Sequence, residues 1–184
     1  MFYENISKSG IEKEIESKGD FVQIDYLARL SKEKLPIDTK KFVYLKLAGI
    51  YERKFMFNDA AKMFDNIALI SVAFSEKIKN YIKEAELHIR AGTFDRVDEA
   101  MKKAMNQANT IEKQGIYFTI KDFYKKQAEV YEKEMKRAHA VRIYEKLLEM
   151  KLNDSEREEI KEKLLYLYEK LGKFEEAKRL KSLW

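Results

Sequence analysis

A block of small and apolar residues recurs along this chain, and no other feature restricts its fold so strongly. Leu47-Ala48-x-x-Tyr51, followed by Phe57-x-x-Ala60-x-x-x-Phe64-x-x-Ile67, returns as Ala85-x-x-His88 and Gly92-x-Phe94-x-x-Val97-x-x-x-Met101-x-x-Ala104. A third copy reads Ala128-x-x-Tyr131 and Ala140-x-x-x-Tyr144-x-x-Leu147, and a fourth Leu164-Leu165-x-x-Tyr168-x-x-x-Gly172-x-Phe174-x-x-Ala177. Upstream, Gly19-x-Phe21-x-x-Ile24-x-x-x-Ala28 is a degenerate first copy. Apolar residues three and four apart mark amphipathic helices, and the pattern breaks once per copy. Each copy therefore reads as two antiparallel helices, which approach closely where small residues face each other, as Ala48 with Ala60 or Ala128 with Ala140. One such pair cannot bury its own apolar stripe, so neighbours must stack, and at least three pairs are needed.

Punctuation agrees with that division. With only 6 Gly and 1 Pro in 184 residues there is little material for many strands and turns. Gly19, Gly92 and Gly172 each separate two periodic segments, where a left-handed residue ends one helix. Asp20 and Thr93 follow as helix caps, and Ser155-x-x-Glu158 is a capping-box signature before the last pair. The predicted helices run over about 3–18, 20–33, 38–54, 57–73, 76–91, 94–113, 117–134, 136–151, 155–171 and 174–183. They pair as 3–33, 38–73, 76–113, 117–151 and 155–183 in a single all-α domain over 1–184.

This pattern resembles the tetratricopeptide repeat (TPR), a helix-turn-helix unit with small residues, aromatics, a turn glycine and often a late proline at fixed positions. With Tyr51 on the aromatic position near the end of the first helix, Ala60 and Phe64 fall on their small and aromatic positions. The register of the first copy through Gly19 places the sole proline, Pro36, on the template's proline position. The resemblance spans nearly the whole chain and implies a right-handed α-α superhelix of about five antiparallel helix pairs. Tyr51, His88, Tyr131 and Tyr168 stand 37, 43 and 37 residues apart. The usual repeat is about 34 residues, so longer helices or loops are implied.

Gly115-Ile116-Tyr117-Phe118-Thr119-Ile120, then Ala128-Glu129-Val130-Tyr131-Glu132 and Ala140-x-x-Ile143-Tyr144-Glu145, look like the middle of the soluble NSF attachment protein (SNAP) family. This second resemblance covers about residues 95–150. That family is a long-helix variant of tetratricopeptide stacking whose members clasp acidic helical bundles of membrane-fusion proteins and recruit a disassembly ATPase. The present chain is much shorter, and Lys178-Arg179-Leu180-Lys181-Ser182-Leu183-Trp184 is basic where the family end is acidic. The ATPase-recruiting role is therefore not carried over.

Catalytic chemistry finds little foothold. With no Cys there is no disulfide, thiolate zinc site or cysteine nucleophile. The two histidines, His88 and His139, follow Ala85 and Lys136 by three residues, so neither forms a Glu-x-x-His metal motif. His88 stands where the other copies have Tyr51, Tyr131 and Tyr168, and reads as a packed, hydrogen-bonded histidine. No two glycines are close enough to cradle a phosphate, and no Gly-x-Ser-x-Gly elbow occurs. Glu156, Glu158, Glu159 and Glu162 interleave with Arg157, Lys161 and Lys163, as on a solvated helix face. The prediction is a non-enzymatic chain with no catalytic residue, cofactor, metal site or evident small-molecule substrate. The start, Met1-Phe2-Tyr3-Glu4-Asn5, has no basic region leading into an apolar core, and the apolar stretch from Ile67 to Phe74 is interrupted by Ser71. No signal peptide or membrane span is predicted, and a cytoplasmic location is expected.

The groove side implied by the TPR resemblance carries the clearest functional signal. The sixth position of each first helix is Lys46, Lys83, Lys126 and Lys163, and the thirteenth is Arg53, Arg90, Lys133 and Lys170. Stacking at about 10 Å per helix would align them in two rows that attract an acidic ligand. Glu52, Glu86, Glu129, Glu132, Glu162 and Glu169 offset much of that field. The expected function is a protein-protein interaction scaffold or adaptor that binds an acidic segment or helical bundle on its concave face. The chaperone-tail clamp of this superfamily is absent, because its first two positions are Leu45 and Gly49. A net charge of +5 leaves non-sequence-specific nucleic-acid binding as a second reading. Against it stand 29 Lys with only 8 Arg and a total of 32 acidic residues. Trp184 plugs the open apolar edge of the final pair or anchors a partner, and an uncapped last pair permits a homo-oligomer.

Overall fold

The computed structural model of the chain describes residues 6–182. Regular structure among the described residues is helical throughout, in ten helices with no strand. They are α1 (Lys8–Glu16), α2 (Asp20–Leu30), α3 (Ile37–Arg53), α4 (Phe57–Ile70), α5 (Phe74–Ala91), α6 (Phe94–Asn106), α7 (Thr110–Lys133), α8 (Arg137–Leu148), α9 (Asp154–Lys170) and α10 (Phe174–Lys181).

Four connections are one turn repeated. The chain leaves α3, α5, α7 and α9 through a left-handed residue, namely Phe55 (φ 58°), Gly92 (71°), Met135 (58°) and Gly172 (70°). The following amide reaches back to the carbonyl five residues earlier. Met56 donates to Tyr51 at 2.9 Å, Thr93 to His88 at 3.0 Å, Lys136 to Tyr131 at 2.8 Å and Lys173 to Tyr168 at 2.9 Å. This closure satisfies carbonyls left over at the helix end and reverses the chain. Gly19 differs from the expectation of a left-handed residue, since it takes φ −65° and caps α2 from extended backbone.

Two predicted helix starts move, those of α9 and α7, and a reciprocal Asn-x-x-Glu box causes both. Asn153, not Ser155, caps α9, with its side chain on the Glu156 amide and the Glu156 carboxylate on the Asn153 amide. Asn109 and Glu112 make the same reciprocal box at the start of α7. That box starts α7 seven residues before the expected position and carries it through Gly115, so the 43-residue interval between His88 and Tyr131 is absorbed by a 24-residue helix. Asp20 is the first residue inside α2 rather than its cap. The Thr93 hydroxyl bonds Asn58 and His88 and makes no side-chain bond to the amides of α6.

The chain divides into two compact units, Met1–Ile116 and Tyr117–Trp184, with the division inside α7. In the first, α2 packs on α3, α3 on α4, α4 on α5 and α5 on α6. Its core joins Ile11 and Ile15 of α1, Leu27 and Leu30 of α2, and Val43, Leu47, Ala48 and Ile50 of α3 with Met63 of α4. Ala60 and Ala61 close on Leu87 at 0% exposure, under Tyr51, Phe57 and Phe64. In the second unit α8 packs on α9 and α9 on α10. Its buried residues include Ile120, Ala128, Ala140, Ile143, Leu147, Leu164, Leu167 and Ala177. Small residues thus sit buried at the repeated small positions in both units. No helix among the described residues is long and apolar enough to cross a membrane.

Candidate functional site

Each first helix ends in the same left-handed turn, with its two expected groove-side cations nine and two residues before the turn residue. In the first unit these side chains tie α3 to α1 and α2, and α5 to α3. Lys46 of α3 reaches Glu12 of α1 at 2.7 Å, and Arg53 and Lys54 meet Asp20 at 3.1 and 3.0 Å. Lys54 and Arg53 hold the Asp20 carboxyl below its usual range. Lys83 and Arg90 of α5 both lie 3.3 Å from Glu52 of α3, and the Arg90 guanidinium stacks 4.2 Å over the Phe57 ring. Lys83 also pairs with Glu86 at 3.1 Å.

The second unit places its row residues differently. Lys126 pairs at 2.6 Å with Asp122 of its own helix, and Lys163 at 3.4 Å with Glu159 of its own. Lys133 and Lys170 are exposed, and Lys170 lies 5.4 Å from the centre of the Tyr166 ring. The bridge between α7 and α9 is made by residues outside the rows. Lys121 and Lys125 converge on Glu156 at 2.8 and 2.7 Å and, with the Asn153 amide, hold its carboxyl down to about 2. Glu156 is therefore a pinned crosslink, in correction of the solvated role expected for it. Its signal in the sequence was Asn153 three residues before it, together with Lys121 and Lys125 one helical turn apart. Lys161 is likewise buried and bonded to Glu158 at 3.3 Å. Trp184 lies outside the described residues.

A second cluster, missed by the sequence reading, occupies the groove between α4 and α6 above α5. Glu84 of α5 is 5% exposed. Lys103 of α6 donates to Glu84 Oε1 at 2.9 Å and to Asp65 of α4 at 2.8 Å, while Glu84 Oε2 is buried with no hydrogen-bond partner. Burial, helped by the nearby Asp65 charge and opposed by Lys103, pushes the Glu84 carboxyl up to about 7. His88, one turn on, is buried, and its Nδ1 lies 3.1 Å from Asn58 Oδ1 and 3.0 Å from Thr93 Oγ1. Burial, then the charges of Arg96 and Lys103, lower its affinity for a proton. The packed, hydrogen-bonded histidine expected from the repeat register is what the structure holds. Glu84 was legible too, since it falls on the buried stripe of Tyr81, Ala85 and His88.

These groups line a cleft of about 510 Å³ together with Lys62 and Arg96. No group of three or more His, Asp or Glu among the described residues is placed to hold a metal ion. Comparison of the chain with protein-family models, with curated proteins and with solved structures gives no match.

Proposed function

We propose that the chain is a non-enzymatic adaptor of tetratricopeptide type, a right-handed stack of helix pairs that holds an acidic segment or helical bundle of a partner protein against its first helices. The observation that carries this reading is the register. The same left-handed turn recurs at Phe55, Gly92, Met135 and Gly172, and the basic residues fall at fixed offsets before it.

The two units contribute unequally to that surface. Lys46, Arg53, Lys83 and Arg90 are engaged with carboxylates of neighbouring helices or the adjoining turn, so an acidic partner there has to displace Glu12, Asp20 or Glu52. Lys126 and Lys163 pair with exposed acids one turn away, contacts worth about 0–1 kcal/mol that an incoming carboxylate replaces at little cost, and Lys163 also lies 5.6 Å from the centre of the Tyr144 ring. With the exposed Lys133 and Lys170 they form the part of the rows best suited to a partner.

Capture from lysate by the tagged chain, with and without nuclease, tests this proposal against nucleic-acid binding. The expected result is retention of proteins with acidic helices that survives nuclease and falls as salt is raised. Retention that vanishes with nuclease contradicts the proposal.

A further inference from the structure

The cleft over Glu84 lies among α4, α5 and α6 and shares none of the row residues, so it goes beyond the adaptor reading. Its floor and its rim carry opposite charge. At the floor, the single ammonium of Lys103 lies between the carboxyls of Asp65 and Glu84, so ionised Glu84 leaves an excess negative charge there, and its Oε2 is a buried acceptor that nothing in the chain satisfies. An unpaired buried carboxylate oxygen costs several times what an ordinary hydrogen bond contributes, so the site favours whatever brings it a donor. At the rim stand Lys62 and Arg96, with the Arg96 charge offset in part by Glu99 at 3.5 Å. A simple cation reaching Glu84 passes those positive groups, and a simple anion drawn to the rim leaves Glu84 unsatisfied. The volume of about 510 Å³ is that of a small-molecule site.

We propose that this cleft binds a small zwitterion, with its ammonium on Glu84 Oε2 and its carboxylate between Lys62 and Arg96. Both ends are then paired with opposite charge, and the buried acceptor at the floor gains a charge-assisted hydrogen bond. His88 forms the wall beside Glu84, its Nε2 lying 4.0 Å from Glu84 Oε1, and reports occupancy without being consumed by it.

The two histidines make the test direct, because exposed His139 on α8 serves as an internal reference for His88. The imidazole resonances of the full chain are followed by NMR during titration with γ-aminobutyrate and ε-aminocaproate, and with butylamine and butyrate as single-charge controls. The expected result is a saturable shift confined to His88, with a zwitterion bound about tenfold or more tightly than either control. The double substitution Lys62→Ala with Arg96→Ala, at the cleft rim, weakens it by about tenfold, and Glu84→Gln does the same. If Glu84→Gln does not fold, the rim variant decides. Absence of a saturable His88 shift with both zwitterions, equal binding of butyrate alone, or an affinity unchanged in the rim variant overturns the proposal.

Discussion

Lys103 donates to Glu84 across the α5–α6 interface at 2.9 Å, and the same ammonium holds Asp65 of α4 at 2.8 Å. One cation therefore ties three consecutive helices around a carboxylate that is half satisfied. Such a group stabilises the fold when protonated and strains it when ionised, so its effect has a definite sign in pH.

The Glu84 carboxyl is raised from 4.5 to about 7 in the fold. The folded state holds this proton more tightly than the unfolded chain, so the contribution is complete below about pH 4.5 and is lost as pH rises through about 7. Buried His88 acts oppositely, since its lowered affinity for a proton costs stability as pH falls below its ordinary value of 6.5. Comparison with Glu84→Gln removes the His88 contribution, which both proteins share. Urea unfolding between about pH 5 and about pH 8 should show wild type losing on the order of 1–2 kcal/mol relative to the variant. A difference that does not change with pH contradicts the assignment.

The left-handed turns give a backbone prediction. Gly172 has φ +70° and nothing within 4 Å of where a Cβ would stand, so Gly172→Ala tests conformation alone and should cost about 1 kcal/mol. Met135 holds φ 58° with an exposed side chain, and Met135→Gly should leave stability unchanged or raise it by up to about 1 kcal/mol. Thermal unfolding of the two variants measures both. Equal destabilisation by both substitutions would argue against a shared turn.

Glu156 offers a way to separate a cap from a crosslink. Glu156→Gln keeps a side chain able to complete the box with Asn153 but loses its charge toward Lys121 and Lys125, and Glu156→Ala loses both. Stability should fall by under about 1 kcal/mol for Gln and by about 1–2 kcal/mol for Ala. The wild-type carboxyl is lowered to about 2, so its contribution is present above about pH 4.5 and is lost as pH falls toward 2. Neither variant should show that part of the acid loss, which acid unfolding followed by circular dichroism measures.

Much of the local structure was legible because it is written in contiguous residues. Gly92 and Gly172 announce their turns, and the apolar period locates all ten helices to within a few residues at most ends. Phe55 and Met135 take the same left-handed turn without the residue that signals it, because four identical hydrogen-bonded closures impose the conformation. Asn109-x-x-Glu112 and Asn153-x-x-Glu156 were readable as capping boxes, yet Ser155-x-x-Glu158 competed with the second as a local boundary signal. The Lys103–Glu84–Asp65 triad was not readable, since its members come from three helices and only Glu84 betrays itself by falling on an apolar stripe. Nor does a lysine column reveal which of its members are already held by carboxylates of other helices, as Lys46 and Lys83 are.

The adaptor proposal meets its most direct test in charge reversal on the second unit. Affinity for an acidic helix-forming peptide is measured by titration at low salt for wild type, for Lys126→Glu with Lys163→Glu, and for Lys46→Glu with Lys83→Glu. The account predicts that the first double variant keeps its helical content and loses about tenfold or more in affinity, while the second loses stability as its ties to Glu12 and Glu52 become repulsions. Unchanged affinity in a folded variant reversed at Lys126 and Lys163 would contradict it.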